Sequence, residues 1–410
     1  LLQLDDEHDV LRERGGRAVR AVPSLKRFLE LDLLDNRYPA LHGLRFLAII
    51  SVVQFHVTWV FVGETAIPLD RDWVTASLAV FFGMDLFFIL SGFLIGSILL
   101  RSLEVNGSQR IQRFYLRRVF RTFPSYYVVL TFLALTTALT VTQRHNLRFE
   151  YLYLTNFVSQ LKTDVIMFWG WSLALEEQFY LTVPLLFFLL YHLRSDRARI
   201  VLLVTLWASA LVTRLVIFAL HRPWSDLGLY AALYFRTHTR FDTLIAGIIL
   251  AFVQLRWREP IGRWLQHPFH RALIALPSMG CLWVLLVPWM FGDQYTQIVH
   301  VFAWGTVTSL MYFGFLLLFL HGDGWIQRSL SAPFFRRMAT LGYGVYLVHI
   351  PILYAIIVPL AHALDHRHVS MLVVWPLSLV ALMTLSLSLG YVMHVLIEKP
   401  SLNLRDRLAA

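Results

Sequence analysis

Cysteine occurs once in this sequence, at Cys281, so no disulfide can form within the chain and a small disulfide-stapled scaffold is excluded. Charge is scarce too: Asp, Glu, Lys and Arg make up 15% of the 410 residues, against about 25% in an ordinary soluble domain. With 57% hydrophobic residues, a water-soluble globule of this length would lack the polar surface to cover itself, and the same composition excludes a disordered chain. The HExxH motif is absent and the histidines are scattered, so no metal-ligand set is expected. Neither a tandem repeat of about 20–50 residues nor an inverted repeat of the two halves is evident.

What the chain has instead is apolar runs long enough to cross a bilayer, which takes about 20 residues. Ten stand out, at residues 40–61, 77–100, 122–142, 172–192, 200–220, 238–255, 272–290, 298–320, 341–361 and 371–397. They are continuous rather than alternating with period two, which argues against a β-barrel. The expected fold is therefore all-α, a polytopic transmembrane bundle of about ten spans. Residues 1–36 carry clustered charges and no apolar stretch of signal-peptide length, and are expected to form a cytoplasmic tail preceding a membrane domain at 37–410. Little sequence follows Pro400, so activity is expected within the bundle itself.

Orientation follows from the basic residues, which cytoplasmic loops retain. With the N-terminus inside, 26 of the 36 Lys and Arg fall on the cytoplasmic side and eight on the other, while Arg45 and Arg214 lie within spans. An even number of spans then leaves both termini in the cytoplasm. The net charge of +10 is a consequence of this topology, and a nucleic-acid partner is not expected.

Ionisable groups inside spans are costly and point to function. Arg45 and His56 are eleven residues apart, about three turns and roughly 16 Å of rise, and project from one helix face. Histidine can take and return a proton near neutral pH, or accept an acyl group itself. The segment ArgArgValPheArg at 117–121 sets Arg118 and Arg121 at i and i+3. It serves as a positive-inside stop signal or, functionally, as a pair of guanidinium forks able to grip phosphates. Asp85 lies about two turns from the outer end of the second span and needs a histidine, an arginine or water as partner. Glu176 and Glu177 enter the fourth span behind Trp169 and Trp171, and at least one is expected to face a cavity. Arg240 and Asp242 begin the sixth, and Tyr346 and His349 stand one turn apart in the ninth. In this orientation His56, Asp85, Glu176 and Asp242 fall in the outer half, with Arg118 and Arg121 at the inner face. A donor entrance on one side and a reaction centre toward the other would follow.

These blocks, from ArgTyrProAlaLeuHisGlyLeuArg at 37–45 and His56, through GlyMetAspLeuPhePheIleLeuSerGlyPheLeuIle at 83–95, ArgArgValPheArgThrPhePro at 117–124, TrpSerLeuAlaLeuGluGluGlnPheTyr at 171–180 and ValTyrLeuValHis at 345–349, to TyrValMetHisValLeuIleGluLysProSer at 391–401, resemble the acyltransferase-3 family of membrane O-acyltransferases. His42, Phe46, Gly342 and Gly344 depart from the residues common at their positions. The resemblance implies transfer of an acyl group, usually acetyl, from cytoplasmic acyl-CoA to a hydroxyl of a glycan, a lipid-linked sugar or a similar acceptor, in the cytoplasmic membrane. It also implies that Arg45, His56, Arg118 and Arg121 are essential. On this reading acyl-CoA is a substrate and no cofactor is held permanently. Arg118 and Arg121 would hold the nucleotide and phosphates of the acyl donor, with Arg45 at the phosphate or pantetheine end, and the pantetheine arm, roughly 15–20 Å if extended, would thread between spans. His56 would act on the acceptor with Asp85 or Glu176 orienting it. Trp171, Glu177, Arg240, Asp242, Tyr346 and His349 are the candidate substrate contacts. The same intramembrane charges would equally serve a proton-coupled transporter or flippase of an envelope precursor.

Overall fold

The computed structural model describes residues 30–31, 33–34, 37–64, 74, 82–105, 109–158, 161–220, 225–291 and 296–408; most of the expected 1–36 tail lies outside these. The described residues contain no strand. The helices are α1 (Pro39–Glu64), α2 (Gly83–Val105), α3 (Gln109–Thr136), α4 (Val141–Tyr151), α5 (Trp171–His192), α6 (Asp196–Leu220), α7 (Asp226–Leu233), α8 (Thr237–Arg240), α9 (Asp242–Trp264) and α10 (Pro268–Phe291). After them come α11 (Thr296–Phe302), α12 (Thr308–Leu320), α13 (Trp325–Leu330), α14 (Pro333–Ile352), α15 (Val358–Asp365), α16 (Met371–Met393) and α17 (Lys399–Leu408). The pairs α14/α15 and α16/α17 are each joined by a π-helical turn into one long rod, while the π turn between α11 and α12 is kinked at Trp304 and Gly305.

Nine helices among the described residues are long and apolar enough to cross a membrane. They match nine of the ten expected spans and make this a multi-pass membrane protein. The sixth run is the exception. Its helix α9 carries Arg256, Arg258, Glu259 and Arg263 in its second half, on either side of a break in helical geometry at Trp257. Its first half is buried against α2, α6 and α12, so this helix forms the interior of the bundle.

The third span differs from expectation at both ends. The helix starts at Gln109, not near 122, because nothing between Gln109 and Pro124 breaks it. It stops at Thr136 because Thr140 caps a new helix: its hydroxyl accepts from the Gln143 amide, and the Gln143 side chain accepts from the Thr140 amide, closing a capping box. Arg118 and Arg121 therefore lie about 13 Å and 18 Å from the start of the helix, where its apolar stretch begins.

The tightest seam is between α2 and α9, where glycine is required. A Cβ on Gly92 would strike the Leu244 carbonyl, and one on Gly247 would meet the Ile89 carbonyl and, at 2.6 Å, the Phe93 amide nitrogen. Small residues that let backbones touch are a membrane-helix packing device. Gly247→Ala is expected to cost about 1–3 kcal/mol by overpacking, read as a lowered thermal midpoint of purified protein in detergent; an unchanged midpoint would mean the seam yields freely. Gly342 and Gly344, departures noted above, answer to the same logic, since a Cβ there would meet Ile49 and the Gly390 backbone respectively.

Between α4 and α5 the chain is anchored by Glu150. Its buried carboxylate accepts from the amides of Ile166 (2.9 Å) and Met167 (2.8 Å). Burial pushes this carboxyl above the usual range while those two amides pull it back. The anchor fixes the approach to Trp169 and Ser172.

Candidate active site

A cavity of about 130 Å³ runs between α1, α2, α3, α5 and α14, with Leu34 and Ala339 among its lining residues at one end and Ser172 and Tyr346 at the other. Arg45, Arg118, Arg121, Glu176, Glu177 and Tyr180 line it between those ends. Ser172, Glu176 and Tyr180 are spaced by four and so form one stripe of α5. Both glutamates face the cavity, Glu176 toward Ser91, Tyr180, Arg118 and Arg45, and Glu177 toward Thr122 and Arg118. The Arg118 guanidinium lies 4.3 Å from the Tyr180 ring centroid, a cation–π contact, and the Tyr180 hydroxyl is hydrogen-bonded to Ser91. Arg121 is flanked by Arg118 and by Glu398, whose carboxylate accepts from His394 Nδ1 at 2.8 Å. Among the described residues none of Arg45, Arg118 and Arg121 is in a salt bridge. All three line the cavity.

The cavity closes at Tyr346. Its hydroxyl donates to the Trp169 carbonyl at 2.7 Å, so the 2.6 Å bond to Ser172 has the serine as donor. One turn further along α14 is His349, fully buried, and its ring meets that of His56 at 5.0 Å between centroids. The hydrogen positions in this imidazole pair follow from the partners. His349 Nδ1 lies 2.7 Å from the Tyr346 carbonyl, which can only accept, so Nδ1 carries the hydrogen and Nε2 of the neutral ring a lone pair. His56 Nδ1 lies 2.9 Å from the Val52 carbonyl and 3.2 Å from His349 Nε2, two acceptors that share its hydrogen. The remaining nitrogen, His56 Nε2, holds a lone pair, the arrangement a general base or nucleophile requires.

A second group of charges is sealed away from the cavity. Arg240 pairs with Asp85 at 2.9 Å and Arg214 with Asp242 at 2.8 Å, all four side chains fully buried. Arg214 also donates to the Val301, Thr239 and Thr306 oxygens. Thr243 joins the pairs, its hydroxyl donating to Asp85 at 3.1 Å and its amide accepted by Asp242 at 3.1 Å. The π turn between α11 and α12 makes room for Asp242 through Gly305, whose φ of 101° and missing Cβ no other residue supplies without strain.

The expected site residues thus separate into three groups. Arg45, Arg118, Arg121, Glu176, Glu177 and Tyr346 are brought together in the cavity, with Glu176 among the arginines and not in an outer cluster. His56 and His349 form the imidazole pair beyond it. Asp85, Arg240 and Asp242 are not at either place: a carboxylate buried this deeply takes a guanidinium, and each has one. The imidazole of His56 is accordingly oriented by His349, not by Asp85 or Glu176. Trp171 packs on Tyr234 and Phe235, away from the cavity. Ser172, Tyr180 and Glu398 were not singled out from sequence, although the fourfold spacing about Glu176 points to the first two. The sequence reading also passes over His362 and His366, which stand four apart; among the described residues no three His, Cys, Asp or Glu side chains form a group suited to a metal ion.

A family model described as an acyltransferase domain, that of acyltransferase-3, matches residues 38–395. The peptidoglycan O-acetyltransferase OatA of Listeria monocytogenes is 28% identical over 339 residues, covering 77% of this chain and 49% of that protein. A Bacillus subtilis protein, YrhL, provisionally named a peptidoglycan O-acetyltransferase, is 28% identical over 341 residues, covering 78% of this chain and 49% of its own. Staphylococcus aureus proteins provisionally named O-acetyltransferases are 27% identical over 332 residues, covering 77% of this chain and 50% of theirs. The chain spans about half the length of these curated relatives. No solved structure matches it.

Proposed function

The chain belongs to the acyltransferase-3 family, and from that premise we propose that it moves an acetyl group from acyl-CoA to a hydroxyl of a cell-envelope carbohydrate or lipid-linked sugar, in the cytoplasmic membrane. The observation that carries the reading is the cavity lined by three guanidinium groups without salt bridges, ending one helical turn from an imidazole pair. The distribution of basic residues supports placing its Leu34 end in the cytoplasm, where acyl-CoA is made. The names of the relatives support a carbohydrate acceptor.

On this reading Arg45, Arg118 and Arg121 hold the acyl-donor phosphates by forked, charge-assisted hydrogen bonds, and the pantetheine arm extends toward Tyr346. The Tyr346 hydroxyl leaves Ser172 and the Trp169 carbonyl to let the thioester reach His56. His56 Nε2 takes the proton of the acceptor hydroxyl as its oxygen attacks the thioester carbon. The C–S bond then breaks, and the proton passes to the departing thiolate, giving free CoA and the ester. While protonated, His56 keeps its Nδ1 hydrogen on Val52 and His349, so the imidazolium forms without loss of either bond.

The test is transfer of labelled acetyl from acetyl-CoA to envelope glycans by purified protein. Arg118→Ala together with Arg121→Ala is expected to raise KM for acetyl-CoA by on the order of tenfold or more, as the loss of one charge-assisted hydrogen bond would, with a smaller change in KM for the acceptor. Equal changes in both would count against phosphate gripping. Accumulation of an envelope precursor in vesicles lacking acyl-CoA would favour a transporter or flippase instead.

A further inference from the structure

A second cavity, of about 460 Å³, opens beside the first and is lined by Arg101 of α2, Arg256 and Arg258 of α9, Tyr38, Pro260 and Leu320 among others. It has no place in the reading above, and its position is informative. Ser91 and Leu94 line the smaller cavity, and Ser97 and Arg101 the larger. At 100° per residue these four positions stay within about 120° of one another, so the two cavities succeed each other along one face of α2, about 15 Å from Ser91 to Arg101. Tyr38, on the wall of the second cavity, precedes Arg45 of the first by seven residues, about two turns of the same helix face.

Size separates their roles. Sites for drug-sized ligands run to about 300–1,000 Å³. The first cavity, at about 130 Å³, suits a narrow chain and a few phosphate oxygens, whereas the second is large enough for a nucleotide. Its chemistry fits the same ligand. Three arginines stand against one lining carboxylate, Glu259. Arg101 donates to the Tyr38 hydroxyl at 3.4 Å, Arg256 leans on Asp196 at 3.4 Å, and Arg258 is exposed. Tyr38, Pro260 and Leu320 supply flat apolar walls such as a nucleobase needs.

We propose that this second cavity binds the phosphorylated adenosine end of the acyl donor, Arg101 and Arg258 gripping its ribose phosphate, so that one extended molecule occupies both cavities in succession. The proposal rests on the acyl-CoA reading above and adds to it where the nucleotide sits. A phospholipid headgroup offers the same phosphate chemistry, and the experiment separates the two sources.

The probes are adenosine 3′,5′-bisphosphate, acetyl-CoA and S-acetylpantetheine, which lacks the nucleotide, used on the full chain in nanodiscs of neutral lipid. Arg101→Gln with Arg258→Gln is expected to weaken bisphosphate binding about tenfold and to raise the ratio of KM for acetyl-CoA to KM for S-acetylpantetheine by a similar factor. Arg258→Glu, at an exposed position that folding does not depend on, is expected to shift both in the same direction. Unchanged bisphosphate binding, or KM values for the two acyl donors that move together, would overturn the proposal. So would a variant that loses copurifying phosphatidylglycerol while binding the bisphosphate as before, since the cavity would then be a lipid-phosphate site. Failure of the transferase reading shows separately, as wild-type protein that binds the bisphosphate yet transfers no label from acetyl-CoA.

Discussion

Alanine in place of His56 is expected to lower turnover of acetyl transfer by on the order of 10²–10⁴-fold, the usual contribution of a positioned general base. The argument rests on which nitrogen is available. Val52 and His349 both face Nδ1, and that fixes the tautomer and leaves the lone pair on Nε2. His349 is in turn held by the Tyr346 carbonyl. A protein with His56→Ala that transfers labelled acetyl at the parent rate would remove the base from the mechanism. His349→Ala should lower the rate less, since the Val52 carbonyl still favours the same tautomer, and a loss equal to that of His56→Ala would mean that both rings touch the reacting groups.

The largest loss of stability should come from Arg214→Met. Breaking a buried ion pair by removing one partner leaves the other charge without compensation and costs about 3–5 kcal/mol. Here the orphan would be Asp242, fully buried and left with hydrogen bonds from Thr306 and the Thr243 amide. Arg214 also ties Val301, Thr239 and Thr306 to one guanidinium, so α6, α8 and the turn between α11 and α12 lose a common anchor. Thermal unfolding of purified protein in detergent reads the effect. Adding Asp242→Asn to Arg214→Met should recover part of the loss, because the uncompensated charge is then gone. A double variant no more stable than Arg214→Met alone would assign the loss to the carbonyl contacts.

Spans were legible because a bilayer demands continuous apolar runs, and no folding detail changes that demand. What the sequence obscures is neighbourhood. Arg118 and Arg121 read as a boundary because guanidinium groups usually stop at the interface, and nothing in that pattern shows that they line a cavity together with Glu176. The position of Glu176 along α5 says nothing of where the neighbouring helix begins, so the sequence places it in the outer half with His56. Pairings across the chain were illegible for another reason. His349 meets His56 over a separation of 293 residues, and Thr243 meets Asp85 over 158; no periodicity within one helix carries that information. The sequence thus marks unusual residues one at a time and leaves open which of them meet. Arg240, Arg214 and the cavity arginines look alike in sequence, and a direct salt bridge to a buried carboxylate is what sets the first two apart.

The bond between Ser172 and Tyr346 has a consequence for economy in an idle protein. With it closed, a thioester held beside Glu176, as in the reading proposed above, would have two hydrogen-bonded hydroxyl groups between it and the ring of His56. Wasteful hydrolysis in the absence of an acceptor would then be slow, because the base would meet the thioester only when those two bonds open.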